Sequence, residues 1–288
     1  MFAGAYTAIV TPFNASGAVD YGKLEALIER QIAGGVDGIV PVGTTGESPT
    51  LDFKEHLEVI EAVVKYCRRR IKVIAGTGAN STREALGLTK AVQEYGADAT
   101  LQVTPYYNKP NQEGLYRHFH DVADIGLPVI LYNIPSRCGV EIALETVVRL
   151  SQHPNIVAVK EAAGNVTRVS QILQECDLCV LSGDDPLTLP MMVVGASGVI
   201  SVASNVAPQL VSQMVHAALA GDWAQARDLH RRCFRLFTGI FMDTNPIPIK
   251  GALALQGLIE EVYRPPLTPL RPEAREKMAK ILKELKLL

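Results

Sequence analysis

The chain has 288 residues, of which 48% are hydrophobic and 20% are charged, and its formal net charge is −2. This composition is typical of a globular protein with a large core and excludes an intrinsically disordered chain. The small net charge and the lack of a basic stripe argue against a nucleic-acid partner. No apolar run is long enough to span a membrane, and the first residues show no charged leader, so we expect a cytoplasmic protein with no membrane partner.

Short apolar runs alternate with longer amphipathic segments through most of the chain. The apolar runs predict strands at residues 5–10, 38–42, 71–75, 99–103, 129–132, 156–159, 178–181 and 198–201. The amphipathic segments predict helices near residues 21–34, 52–65, 82–95, 113–125, 144–152, 167–175, 187–194 and 208–219. Asp20 is a plausible N-cap for the first of these helices, and Gly34 marks its end.

Eight strand–helix units of about 25–30 residues each have the spacing of βα repeats. A TIM barrel, the (β/α)8 fold, uses about 250 residues, so we predict an α/β protein of this class. A doubly wound sheet is the competing topology, but its usual glycine motif after the first strand is replaced here by Thr11-Pro12. Beyond residue 222 the strand signals stop, and three helices are predicted near 224–241, 248–258 and 272–287. We therefore expect a catalytic barrel over residues 1–224 and a C-terminal three-helix extension over residues 225–288.

In a barrel of this kind, the reacting side chains come from the C-terminal ends of the strands. The predicted ends are rich in glycine and hydroxyl groups, and they contain one lysine, Lys160, with no histidine or cysteine. Metal-dependent aldolases and hydrolases place histidines or several carboxylates there, so we predict no metal site. Asp184 and Asp185 are adjacent carboxylates of the kind that more often stabilise a turn or cap a helix. Neither a P-loop ending nor a G-x-S-x-G elbow is present, which leaves an amine nucleophile without a cofactor.

Lys160 follows a short run of small and β-branched residues that reads as a buried strand. Burial disfavours the charged amine and would prepare it to attack a carbonyl, although a lysine that reaches solvent at a strand end is the simpler reading. Lys160 shares a strand face with Ala158 and Ile156, so its side chain should point into the barrel if those residues do. There it would meet Tyr132, whose hydroxyl can transfer protons, and Thr44. This set of groups predicts Schiff-base chemistry on a carbonyl substrate.

Several motifs together resemble the dihydrodipicolinate synthase family of pyruvate-dependent class I aldolases. The motifs with the highest specificity are Gly43-Thr44-Thr45-Gly46-Glu47, Tyr132-Asn133-Ile134-Pro135-Ser136-Arg137 and Val159-Lys160-Glu161-Ala162. The resemblance extends over nearly the whole chain and includes Thr104-Pro105-Tyr106-Tyr107-Asn108-Lys109-Pro110, Ser182-Gly183-Asp184-Asp185, Ile200-Ser201 and Asn245-Pro246. It implies condensation of pyruvate with L-aspartate 4-semialdehyde to 4-hydroxy-tetrahydrodipicolinate, the first committed step of the diaminopimelate and lysine pathway.

The resemblance also implies roles for the catalytic residues. Lys160 would form the Schiff base with pyruvate, and Tyr132 would be the general acid and base. Thr44 and Tyr107 would complete a proton relay, with Tyr107 supplied by a neighbouring subunit. The family therefore implies a homo-oligomer, with a tetramer built from tight dimers as the favoured form.

The substrate-binding residues follow from the same resemblance. Thr45 would hold the pyruvate carboxylate through its hydroxyl and backbone, Ile200 would contact pyruvate through its backbone, and Gly183 would also bind substrate. Arg137 would receive the carboxylate of the second substrate, because a guanidinium fork binds a carboxylate at two points. Cys138 departs from the threonine or other small residue expected at its position, and we interpret it as a tolerated packing change.

Two alternative functions remain open at this point. N-acetylneuraminate lyases and other keto-sugar-acid aldolases share the lysine and the tyrosine of this scaffold, so only Arg137 favours the synthase among them. A non-catalytic barrel that senses lysine or pyruvate is an alternative of a different class. The presence of Lys160, Tyr132, Thr44 and Arg137 together argues against it.

The family often binds L-lysine as an inhibitor at a subunit interface. The residues of this chain that match polar positions of that site are Ser48, His56, Asn80, Glu84 and Tyr106. Phe53 and Pro49 depart from the expected histidine and alanine. L-lysine is therefore a candidate effector rather than an expected one.

Overall fold

The computed structural model describes residues 2–288, and within them eight parallel strands close into a barrel in which every strand pairs with its sequence neighbours. The first and last strands pair with each other and close the ring. This arrangement confirms the predicted TIM barrel. The strands are β1 Gly4–Ala8, β2 Gly38–Val40, β3 Lys72–Gly76, β4 Ala99–Val103, β5 Val129–Asn133, β6 Ile156–Glu161, β7 Cys179–Ser182 and β8 Gly198–Ser201.

Helices follow the strands and cover the outside of the barrel. They are α1 Tyr21–Ala33, α2 Phe53–Cys67, α3 Thr82–Tyr95, α4 Gln112–Ala123, α5 Pro135–Cys138, α6 Leu144–Leu150, α7 Thr167–Glu175, α8 Thr188–Val193 and α9 Pro208–Leu219. The Asp20 carboxylate accepts the Lys23 N–H at the start of α1, which confirms the predicted N-cap. Among residues 2–288, none of the helices combines the length and the apolar composition that a membrane crossing requires.

Three further helices follow the barrel, as predicted. They are α10 Trp223–Gly239, α11 Ile247–Leu255 and α12 Pro272–Glu284. Helix α10 packs on α9 and on α12, and α12 also contacts α11. The boundary that we expected between residues 224 and 225 falls in the first turn of α10.

Short structured pieces at the strand ends were not predicted. Helix α5 and the 3₁₀ turns Thr44–Gly46, Ser48–Thr50, Asp185–Leu187 and Ala203–Asn205 all lie in segments that follow a strand. A segment of three or four residues is too short for its hydrophobic periodicity to be read from the sequence. These pieces carry several of the predicted site residues, so their local geometry comes from the structure alone.

The strands separate two apolar cores. The smaller core fills the barrel and includes Tyr6, Ile74, Ile130 and Ala158, whereas the larger one lies between the strands and the surrounding helices. The expectation that Ile156 faces the barrel interior was wrong, because Ile156 belongs to the outer core. The pairing of β5 with β6 shifts register after Val129. Because of this irregularity, Ile156 at the start of β6 faces the outer core, whereas Ala158 faces the barrel interior.

A buried polar network anchors the end of β6. The Glu161 side chain is fully buried, and its two oxygens accept the Asn133 side-chain amide at 3.0 Å each. The same carboxylate accepts the Ala163 N–H at 2.9 Å and Arg168 Nε at 3.3 Å. Because Arg168 supplies the positive charge, the network compensates a carboxylate that would otherwise be costly to bury.

We expect the substitution Arg168→Met to lower the free energy of unfolding by about 3–5 kcal/mol, because it leaves the buried Glu161 charge without its countercharge. Urea denaturation measures the change. Arg235→Met is the matched control, since Arg235 pairs with Glu284 at the surface and exposed pairs contribute little. Equal stability of the two variants would contradict this reading of the network.

Candidate active site

Lys160 lies near the C-terminal end of β6, in register with Tyr132 on β5 and Leu181 on β7. Its side chain is only 5% exposed, and its Nζ lies 4.0 Å from the centroid of the Tyr132 ring. Burial lowers the pKa of the Lys160 amine to about 7; Asp185 opposes this shift and Arg137 adds to it. A substantial part of the amine is therefore neutral near pH 7 and able to act as a nucleophile.

Tyr132 presents a protonated phenol beside this amine. Burial raises the pKa of the Tyr132 hydroxyl, and the opposing effects of the Arg137 charge and the Thr44 hydrogen bond are smaller. Thr44 belongs to the 3₁₀ turn that follows the end of β2. A phenol that stays protonated can donate a proton to a developing oxyanion and later recover it.

A cavity of about 50 Å³ brings together most of the predicted site residues. Its lining includes Thr44, Thr45, Tyr132, Arg137, Lys160 and Gly183. A Cβ on Gly183 would lie 2.9 Å from Lys160 Cε and 2.7 Å from Ala162 Cβ. The absence of a side chain at residue 183 therefore leaves the space that the lysine occupies.

Arg137 and Thr45 share a partner, Asn245, which belongs to one of the family motifs but received no role in the sequence analysis. The Asn245 carbonyl accepts a hydrogen bond from Arg137 Nη2 at 3.0 Å, and Asn245 Nδ2 donates to Thr45 Oγ1 at 3.0 Å. Asn245 lies 200 residues from Thr45 in the sequence and precedes α11. No local pattern could reveal this contact, because it depends on how the C-terminal helices pack on the barrel.

Two predicted residues lie outside the cavity lining. Ile200 is buried in β8 beside Tyr6, within the barrel core. Tyr107 is 92% exposed, and its φ of 73° lies in the left-handed region, which is unfavourable for a bulky residue. A single chain therefore does not bring Tyr107 to Lys160.

Asp185 is buried and organises the turn after β8. Its carboxylate accepts the hydroxyl of Ser201 and the N–H groups of Val202 and Ala203. Burial raises the pKa of Asp185 to about 6, and these hydrogen bonds oppose the shift. The contacts agree with the prediction that this carboxylate stabilises a turn.

The candidate effector residues are only partly grouped in one chain. Ser48 and Tyr106 line a second cavity of about 190 Å³ next to the first, whereas Glu84 lines a separate surface depression with Phe53. His56 Nε2 is held by the Gly76 carbonyl at 2.7 Å. The Asn80 carbonyl accepts the Asn108 side-chain amide at 2.8 Å.

A surface cluster of two histidines and one carboxylate lies near the end of α4. Ligand atoms of His120, Asp124 and His153 lie within 4.8 Å of one another. However, His153 Nδ1 accepts the Asn155 N–H at 3.2 Å, so a neutral His153 carries its proton on Nε2 and donates it to Asp124 at 3.1 Å. We therefore assign the cluster to hydrogen bonding between α4 and the segment after α6.

The fold and the site define a (β/α)8-barrel enzyme whose buried lysine lies beside a protonated tyrosine. The chain belongs to the dihydrodipicolinate synthetase family, whose model matches residues 1–285. A relative from Geotalea daltonii, named 4-hydroxy-tetrahydrodipicolinate synthase, is 50% identical over 291 aligned residues that cover all of both chains.

Two solved structures have the same architecture and carry informative ligands. The chloride-inhibited dihydrodipicolinate synthase from Acinetobacter baumannii, complexed with pyruvate, is 46% identical with a TM-score of 0.98, and the match covers all of both chains. The enzyme from Cyanidioschyzon merolae, with lysine bound, is 40% identical with a TM-score of 0.96, and the match covers all of this chain and 99% of that one.

The lowered pKa of Lys160 predicts an unusual pH dependence of its reactivity. The neutral amine forms above the pKa, so labelling by acetic anhydride should increase with pH and level off above about 7. Competitive labelling followed by mass spectrometry measures this profile, with the exposed Lys54 as internal standard. A reactivity that still increases toward about pH 10, as for an ordinary lysine, would contradict the assignment.

Proposed function

We propose that this chain is a lyase that condenses pyruvate with L-aspartate 4-semialdehyde to give 4-hydroxy-tetrahydrodipicolinate, through a Schiff base on Lys160. The observation that carries the proposal is the buried Lys160 amine beside Tyr132, at the strand ends of a barrel from this family. The name of the Geotalea daltonii relative and the pyruvate in the Acinetobacter baumannii structure support the choice of product and first substrate.

The first chemical step requires a neutral amine and a proton donor. The Lys160 amine attacks the keto carbon of pyruvate. The carbonyl oxygen takes one proton from the amine and a second from the proton donor, and it leaves as water to give the protonated imine. We assign these proton transfers to Tyr132, supported by the position of its ring 4.0 Å from Lys160 Nζ. The imine then loses a proton from the methyl carbon, and the resulting enamine attacks the aldehyde carbon of the second substrate.

Recognition of the two carboxylates is assigned to different residues. Thr45, together with Gly183 and Ile200, would bind the pyruvate part, and Arg137 would bind the carboxylate of the aldehyde substrate. Thr45, Gly183 and Arg137 line one cavity, which supports their placement at a common substrate site. The hydrogen bonds that join Thr45 and Arg137 to Asn245 would fix the two binding groups relative to each other.

We assign Tyr107 of one subunit to a proton relay with Thr44 and Tyr132 of an adjacent subunit. The assembly would be a homo-oligomer, with a tetramer as the favoured form. The support is its nearly complete exposure in one chain together with its left-handed backbone. Aromatic residues, tyrosine among them, are enriched at surfaces that contact another chain.

L-lysine is proposed as an effector that binds near Ser48, His56, Asn80, Glu84 and Tyr106. Burial raises the pKa of Tyr106, and the Glu84 charge adds to the shift, which supports an electrostatic link between the two parts of this residue set. The lysine-bound structure from Cyanidioschyzon merolae supports an effector of this chemistry. Phe53, which is exposed, replaces a polar position and should weaken the binding of a charged ligand.

A direct assay tests the proposed reaction. The purified protein should form product from pyruvate and L-aspartate 4-semialdehyde and should not cleave N-acetylneuraminate. Arg137→Lys keeps the charge but loses the planar fork, so KM for the aldehyde should increase by about ten- to hundredfold while pyruvate binding is retained. Arg117→Lys on the surface of α4 is the matched control. Turnover of N-acetylneuraminate alone would favour the keto-sugar-acid lyase and refute the proposal.

Titration of the activity with L-lysine tests the effector separately. We expect partial or weak inhibition, because the polar set is retained while Phe53 and Pro49 alter its surroundings. Phe53→His should strengthen the inhibition by restoring a polar partner. No inhibition of either protein at millimolar lysine would reject a working effector site.

A further inference from the structure

The loop that carries Thr44 and Thr45 is held by a charged contact from the C-terminal helices. We call residues 43–47 the threonine loop. It ends at Glu47, whose φ of 56° and ψ of 38° place a non-glycine residue in the left-handed region. Such a conformation persists only when surrounding contacts impose it.

The contact that imposes it is a fully buried ion pair. Both side chains of Glu47 and Lys250 are 0% exposed, and Lys250 Nζ lies 2.5 Å from Glu47 Oε1. Glu47 Oε2 accepts the Arg264 N–H at 3.2 Å, so residues beyond the barrel hold both carboxylate oxygens. The Lys250 amine also lies 4.3 Å from the centroid of the Phe13 ring. Neither Glu47 nor Lys250 lines the two cavities, so they are not in a position to touch the substrate.

A second contact joins the same two segments. Asn245, five residues before Lys250 in the sequence, donates its side-chain amide to Thr45 Oγ1 at 3.0 Å. The two contacts lie on either side of the start of α11 and meet the threonine loop at two points. This arrangement restrains both the position of the loop and its rotation.

We propose that Glu47 and Lys250 are positioning residues, which hold the threonine loop so that Thr44 meets Tyr132 and Thr45 faces the pyruvate bound to Lys160. The inference rests on the proposed function, since it assigns the ion pair to the geometry of the pyruvate site. It also gives the C-terminal extension a direct part in forming that site.

The chemistry of the pair favours positioning over stability. A buried ion pair pays a large desolvation penalty, and neutral residues of similar volume are often at least as stable. A hydrophobic pair could therefore join α11 to the barrel. A charge-assisted hydrogen bond is short and joins two particular atoms, which a contact between apolar side chains does not.

The double substitution Glu47→Gln with Lys250→Met tests the proposal. It removes both charges together, so no unpaired charge remains in the core. Glu55→Gln is the matched control, because Glu55 forms an ion pair with Arg264 of the same extension but lies outside the threonine loop. The wild type and both variants are compared in three measurements. These are thermal unfolding, kcat, and the pyruvate concentration that half-saturates reductive trapping of the imine.

We expect the double variant to fold and to need roughly ten- to hundredfold more pyruvate for half-saturation, with a lower kcat, because the threonine loop is misplaced. Glu55→Gln should match the wild type in both quantities. A folded double variant with wild-type half-saturation and kcat would overturn the proposal, and it would leave the pair with a role in stability alone.

If the double variant does not fold, Glu47→Gln alone is the second test. The glutamine still accepts the Arg264 N–H, and without the Glu47 charge the buried Lys250 amine can become neutral. A defect in pyruvate trapping by the folded single variant supports the proposal, and wild-type trapping overturns it. The trapping uses pyruvate without the aldehyde, so it remains informative even if the wild type fails to condense the two substrates. That failure would refute the proposed function and not the role of the ion pair.

Discussion

The removal of the Lys160 amine from water is the constraint on which the site depends. Burial favours the neutral amine, and the described residues form no salt bridge with it that would restore the charge. The structure maintains this state by packing the lysine against the Tyr132 ring and by leaving residue 183 without a side chain. The nucleophile is therefore prepared by the surrounding apolar barrel rather than by an adjacent base.

The chain contains two buried lysines, and their surroundings give them different roles. Burial lowers the pKa of both amines, but Lys250 lies in direct contact with the Glu47 carboxylate whereas Lys160 does not. The Glu47 carboxylate therefore stabilises the charged form of Lys250, whereas Lys160 can lose its proton more readily. The difference depends on a carboxylate more than 200 positions away in the sequence, so the side-chain type alone could not distinguish the two.

The barrel was predictable because its signals are local and repeated eight times. Residues 99–103 and 198–201 were predicted as strands at the bounds observed, and Lys160 was correctly placed at a strand end. Ile156 was assigned to the wrong core, because a register shift between β5 and β6 has no signature in the sequence. The Asn245 and Lys250 contacts were missed for a different reason: they arise from packing between segments that are distant in the chain. The role proposed for Tyr107 requires a second subunit, and one chain by itself leaves this side chain exposed.

The central claim is that Lys160, and not another lysine, forms the covalent intermediate. The most direct measurement is reduction of the protein with borohydride in the presence of pyruvate, followed by peptide mapping with mass spectrometry. We predict that the mass of the reduced pyruvyl adduct appears on the peptide that contains Lys160 and that Lys250 remains unmodified. An unmodified Lys160 in a protein that catalyses the condensation would contradict the account.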